Sequence, residues 1–216
     1  MDPLHLCIAL GPVITYLMLL GLLNFRRRPF LTTGARDLAA LGIGVSGLVV
    51  AGPMELFIPE LAVNQFGSYV WPLMLALYGL CWTLLVLLVR PRLVIYNMPL
   101  NQLRPILSSV ASELDPDLRW AGDSLSLPTL HVQLHLETFT TLRCTQLVSS
   151  GPAQSCAGWR KLEIRLAEAI QATRTTINPY AISLILLASF MAIAVTFKMA
   201  TNLELVQTQL REMLRL

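Results

Sequence analysis

The sequence predicts a membrane-embedded all-α bundle of four transmembrane helices, with a small cytoplasmic α+β domain inserted between the third and fourth spans. Three observations carry that class: four long uncharged apolar runs, basic residues confined to particular connections, and one patterned segment at residues 91–177. Hydrophobic residues make up 55% of the 216 residues and charged residues 13%, with a mean hydropathy of +0.61. Soluble domains carry nearer to about 25% charge, so a bilayer is the expected solvent.

The apolar runs cover residues 4–25, 38–58, 69–89 and 179–200. Each has the roughly 20 residues needed to cross about 30 Å of hydrocarbon. Helix is the expected form because, inside lipid, every backbone N–H and C=O must be paired within its own segment. The domain boundaries follow: three spans within residues 1–90, the α+β domain at 91–177, the fourth span at 178–200, and an amphipathic helix at 201–216.

The net charge of +3 matters less than where the cations lie. Arg26, Arg27, Arg28 and Arg36 fill the first connection and Arg90 and Arg92 follow the third span, whereas the second connection has Glu60 and no Lys or Arg. The positive-inside rule then predicts a cytoplasmic first connection, a cytoplasmic domain and both termini outside, as in a bacterial inner membrane or its equivalent. These six arginines are read as a topology signal at lipid-headgroup level, and the triplet as that rather than as a specific anionic-lipid site. Only Asp2 precedes the first run, so no signal cleavage is expected. Cys7, Cys81, Cys144 and Cys156 show no C-x-x-C spacing and are read as reduced and structural.

Within the domain, "RLVIY" reads as a buried strand ending near Asn97. A helix follows, capped by Asn101 and buried along Leu103, Leu107, Val110 and Leu114. Short strands are expected around the turns of "DPDLRWAGDS", at residues 118–120 and 124–127. "LHVQLHLETF", residues 130–139, alternates apolar and polar side chains and reads as the longest strand. His131, Gln133, His135 and Glu137 would then share its solvated face, the candidate docking face for a partner. "LRCTQLVS" is expected to pair with it, and a final helix at 157–173 to bury Trp159, Leu162, Leu166 and Ile170.

Signals of chemistry are weak. "GIGVSG" at residues 42–47 matches G-x-G-x-x-G but lies inside an apolar span with no preceding strand, so it does not meet the context of a dinucleotide site. Ala40 with Gly44, and Gly47 with Ala51, read instead as small residues packing helix on helix. His131 and His135, four apart on a strand, would be separated by nearly 14 Å, too far to share a zinc ion. No metal, cofactor, nucleotide or nucleic acid is expected. His5, Glu55, Glu60 and Lys198 lie at span ends that antiparallel threading puts at the outer interface.

The expectation is therefore an integral multipass protein without enzymatic activity. It would be an assembly, scaffold or signalling component whose partners are the bilayer and another protein or a second copy of itself. The alternative is a subunit of an oligomeric channel or transporter. A membrane enzyme using Asp115, Asp117, Asp123 or the His135 face ranks below both, because Asp-Pro-Asp and Gly-Asp are ordinary turn chemistry.

Overall fold

The computed structural model describes residues 3–54, 69–139, 143–152 and 154–214. Four of its helices are long and apolar enough to cross a membrane: α1 (Pro3–Phe25), α2 (Gly34–Val49, continued by a π-helical turn Val50–Met54), α3 (Val70–Leu88) and a fourth, Pro179–Thr201. Residues 55–58, expected to end the second span, lie outside the described residues.

Between the third and fourth of these lie strands β2 (Arg92–Tyr96), β3 (Arg119–Ala121), β4 (Ser124–Leu127), β5 (Val132–Phe139) and β6 (Cys144–Ser149), with helices α4 (Leu100–Leu114) and α5 (Cys156–Gln171). The Pro179–Thr201 helix is α6, and α7 (Leu203–Leu214) follows it. By contacts the chain divides into two compact units. One holds Met1–Leu19, Leu38–Leu87 and Leu184–Leu216; the other holds Leu20–Asp37 and Leu88–Ser183.

In the first unit, α2 meets neighbours through its glycines. A Cβ at Gly47 would collide with the carbonyl oxygen of Ile8 in α1, and one at Gly44 would lie 2.9 Å from the Tyr16 side chain. On the α3 side, Tyr78 Oη donates to the Gly42 carbonyl (2.6 Å) and Trp82 Nε1 to that of Leu38 (3.0 Å), their rings stacked at 5.9 Å. Ala40 is exposed and Ala51 half-buried in the π-helical turn. The hydroxyls of Thr15, Ser46 and Thr83 bond back to carbonyls of their own helices, which satisfies these three donors within their own segments.

The second unit contains a six-stranded antiparallel sheet in which β1 (Phe30–Thr33) is followed by β2, β6, β5, β4 and β3. Its edge strand β1 comes from the first connection, outside the 91–177 segment that the sequence assigned to the domain. Leu31 pairs with Ile95 and Thr33 with Leu93, which sends Leu31 to the packed face. Four residues between two spans are too few to show a strand pattern. That is why the sequence reads this stretch only as charge.

Both helices cover one face of the sheet, where α4 and α5 also pack on each other. The main buried cluster, between the sheet and these helices, includes Leu93 and Ile95 of β2, Leu103 and Leu107 of α4, Leu125 and Leu127 of β4, Leu134 of β5, Leu147 of β6, and Leu162, Leu166 and Ile170 of α5. Each fully buried aliphatic side chain contributes on the order of 1.5–3 kcal/mol. Strand alternation and the helical stripe dictate these positions, as periodicity predicts.

Two local expectations are corrected. Helix α4 begins at Leu100 with Pro99 in the capping position and no side-chain cap, so Asn101 lies inside the first turn. Pro99 offers its carbonyl to the amides of Gln102 and Leu103, both at 3.1 Å. Strand β5 begins at Val132, and His131 lies in the preceding turn with φ +52°. The cause is Asp115, fully buried after α4, which accepts bonds from Thr129 N (2.7 Å) and Thr129 Oγ1 (2.8 Å) and holds residues 128–131 in a turn. The β3–β4 hairpin turns through Gly122, whose φ of +62° suits a two-residue loop.

Burial alone would raise the Asp115 pKa, but the hydrogen bonds from Thr129 and from the Asp117 amide outweigh it and hold the carboxyl below its ordinary value. A lowered native pKa gives stability that is present above the unfolded value and is lost as the pH falls through the native one. Asp115→Asn is therefore expected to lower the resistance of the second unit to denaturant at pH 7, with the gap from wild type narrowing by pH 3. Denaturant titration of the full chain followed by tryptophan fluorescence reads the gap, and a gap unchanged between the two pH values contradicts this account.

Candidate functional site

The face of the sheet turned away from α4 and α5 is divided. On the β2–β6 half, Val94, Tyr96 and Cys144 are buried and Leu20 of α1 packs against them. Tyr96 Oη donates to Asp37 Oδ1 (2.5 Å) at the start of α2. Leu20 near the end of α1 and Asp37 at the start of α2 thus lie against this half.

The covering is fastened by a buried polar cluster that local sequence patterns do not announce. Asn97 follows β2 with φ +57°, a conformation Asn tolerates better than most side chains. Its Nδ2 donates to the carbonyl of Arg26 (2.6 Å) and to Thr175 Oγ1 (3.3 Å). The Thr175 amide donates to the Arg27 carbonyl (2.8 Å) and that of Asn178 to the Asn24 carbonyl (3.4 Å). Arg143 adds a bond from Nη1 to Thr176 Oγ1 (2.8 Å). Asn178 Oδ1 accepts from the Tyr180 amide (3.2 Å) and so caps α6. Asn-Pro before an apolar run is a legible cap signal, whereas Asn24 and Asn97 carry none.

Arg26, Arg27 and Arg28 have exposed side chains. The first two give their carbonyls to this cluster, so the triplet is structural through its backbone as well as charged through its side chains. Arg36 is exposed and pairs with Glu163 of α5 at 3.6 Å. Arg90 is exposed and Arg92 half-buried.

The β5–β4–β3 half of the same face is open. Gln133, His135 and Glu137 are exposed along β5, opposite Ser126 and Ser124 of β4 on one side and Val148 and Gln146 of β6 on the other. His135 Nδ1 lies 3.0 Å from Ser124 Oγ. Phe139, at the end of the same strand, is 52% exposed. His131 does not join this row, because its amide donates to the Pro128 carbonyl and its carbonyl accepts from Ser155.

The outer-interface residues are placed individually. His5 is half-buried in the first turns of α1 and Lys198 is exposed in the last turn of α6, while Glu55 and Glu60 lie outside the described residues. Among the described residues, no three His, Cys, Asp or Glu side chains converge on one point. The open face carries the polar side chains of Gln133, His135 and Glu137 and the exposed ring of Phe139.

Compared with known protein families, characterised proteins and solved structures, the chain has no match.

The two domain cysteines differ in chemistry. Burial pushes the Cys144 thiol up to about 12, with the Asp37 carboxylate adding to the rise and Arg92 opposing it, whereas Cys156 is exposed. In a chain whose Cys7 and Cys81 are replaced by serine, maleimide at pH 8 is expected to label the exposed Cys156 at least about ten-fold faster than the buried Cys144, since access and the thiolate form both govern the reaction. Unfolding should equalise them, and equal rates in the folded chain contradict the covered half-face.

Proposed function

We propose that this chain is an integral multipass membrane protein with a non-enzymatic role, an assembly, scaffold or signalling component whose cytoplasmic α+β domain docks a partner protein. The observation that supports it is the divided sheet face. One half is buried by the chain itself, and the other presents Gln133, His135 and Glu137 with the exposed Phe139 beyond them. An open polar strand face with an aromatic residue at its end resembles the composition of recognition surfaces, in which a few aromatic anchors are ringed by polar groups.

The proposed orientation has the second unit cytoplasmic and both termini outside. Its support is the clustering of Arg26, Arg27, Arg28, Arg36, Arg90 and Arg92 on two connections, together with the β1–β2 pairing that requires those connections to lie on the same side. The alternative reading, a channel or transporter subunit with its glycine-rich second span facing a shared conduit, draws less support. Gly42, Gly44 and Gly47 all face residues of the same chain.

A photo-reactive residue placed at Gln133 or Glu137, in full-length protein in native membranes, is expected to form adducts with a second protein. The same residue at Arg165, on the exposed side of α5, should form none. Adduct formation at Arg165 alone, or at none of the three positions, would remove the open face as a docking surface.

A further inference from the structure

A second feature of the same unit lies on the other side of the sheet. A cleft of about 820 Å³ opens between α5 and the chain segments that adjoin α2 and α3. Its volume falls within the range of roughly 300–1,000 Å³ typical of small-molecule sites. Four guanidinium groups line it: Arg36 from the first turn of α2, Arg90 two residues beyond α3, Arg92 at the start of β2, and Arg160 of α5. Glu163 and Glu168 also line it, but both are already engaged, Glu163 with Arg36 (3.6 Å) and Glu168 with Arg165 (3.6 Å). Among the described residues, no carboxylate pairs with Arg90, Arg92 or Arg160.

Arg92 is also held in place. Its stem lies across Gly34, where any Cβ would collide with its Cγ, and its buried Nε has no hydrogen-bond partner among the described residues. Arg36 and Arg90 stand at the ends of two membrane-length helices, so a chain threaded through a bilayer would carry them at headgroup level. Ile164 supplies an apolar wall: it is 51% exposed on a helix whose other exposed positions are mostly charged or small. Unpaired cations beside an apolar side chain, next in sequence to two membrane-length helices, match one ligand in both its parts.

We propose that this cleft binds the headgroup of an anionic phospholipid. Arg90, Arg92 and Arg160 meet the phosphate, and Ile164 lies against the first carbons of the acyl chains. Guanidinium groups suit phosphate oxygens because they present paired donors in a plane. The site differs from the docking face, and its test does not depend on the partner.

The test is native mass spectrometry of the full chain in detergent, titrated with phosphatidylglycerol or phosphatidylcholine, with inorganic phosphate as competitor. One phosphatidylglycerol per chain is expected, bound at least ten-fold more tightly than phosphatidylcholine. Arg90→Gln combined with Arg160→Gln should abolish that preference, and Arg119→Gln on the remote strand β3 should leave it intact. Both cleft arginines are exposed, so the fold should survive their loss, and an unchanged thermal melt verifies it. Ile164→Gln should weaken lipid binding while leaving the headgroup preference. Equal binding of the two lipids, equal loss in the Arg119→Gln variant, or full displacement by millimolar phosphate would each overturn the proposal.

Discussion

The pairing of β1 with β2 is the contact on which the second unit depends. Phe30, Leu31, Thr32 and Thr33 lie opposite Tyr96, Ile95, Val94 and Leu93, so one short ladder joins the connection after α1 to the segment after α3. Thr33 is followed directly by α2, and β2 begins four residues after α3 ends. The ladder therefore pairs two connections, each of which adjoins a membrane-length helix in sequence.

The buried polar cluster extends the same logic to the ends of α1 and α6. Asn97 collects the Arg26 carbonyl and Thr175, and Thr175 returns a bond to the Arg27 carbonyl, so the exit from α1 and the approach to α6 are fastened to the end of β2. Buried polar groups are costly unless paired, by about 1–3 kcal/mol for each one left unsatisfied; Asn24 Oδ1 and Asn97 Oδ1 have no partner among the described residues, but the donors of the cluster are satisfied. Such a cluster therefore favours one arrangement of these segments over slipped alternatives. With one half of this sheet face occupied in this way, its β5–β4–β3 half stays exposed among the described residues.

Much of this was legible in the residues, and the exceptions share a physical cause. The four apolar runs stand out because a bilayer demands length and uniformity, and the stripes of α4 and α5 stand out because burial repeats with the helical turn. The alternation of β5 gave its face, except at His131, where a long-range bond from Thr129 to Asp115 overrides a local pattern. β1 was invisible because four residues carry no period, and its strand character comes only from its partner. Asn24, Asn97 and Arg160 were missed as site residues for the same reason: tertiary neighbours confer their roles. The polar row Gln133, His135 and Glu137 could be read in advance because alternation is local.

The most direct measurement of this account is oxidative cross-linking of Leu31→Cys with Ile95→Cys, in full-length protein lacking its native cysteines and kept in native membranes. Opposed residues of an antiparallel pair place their Cβ atoms about 4.5–5.5 Å apart, near enough for a disulfide to form with slight adjustment. The account predicts efficient formation of that disulfide, identified by mass spectrometry of the joined peptides, and little with the out-of-register pair Leu31→Cys and Leu93→Cys. Failure of the registered pair, or equal cross-linking of both, would mean that the first connection is not a strand of the sheet and that the two connections need not share a side.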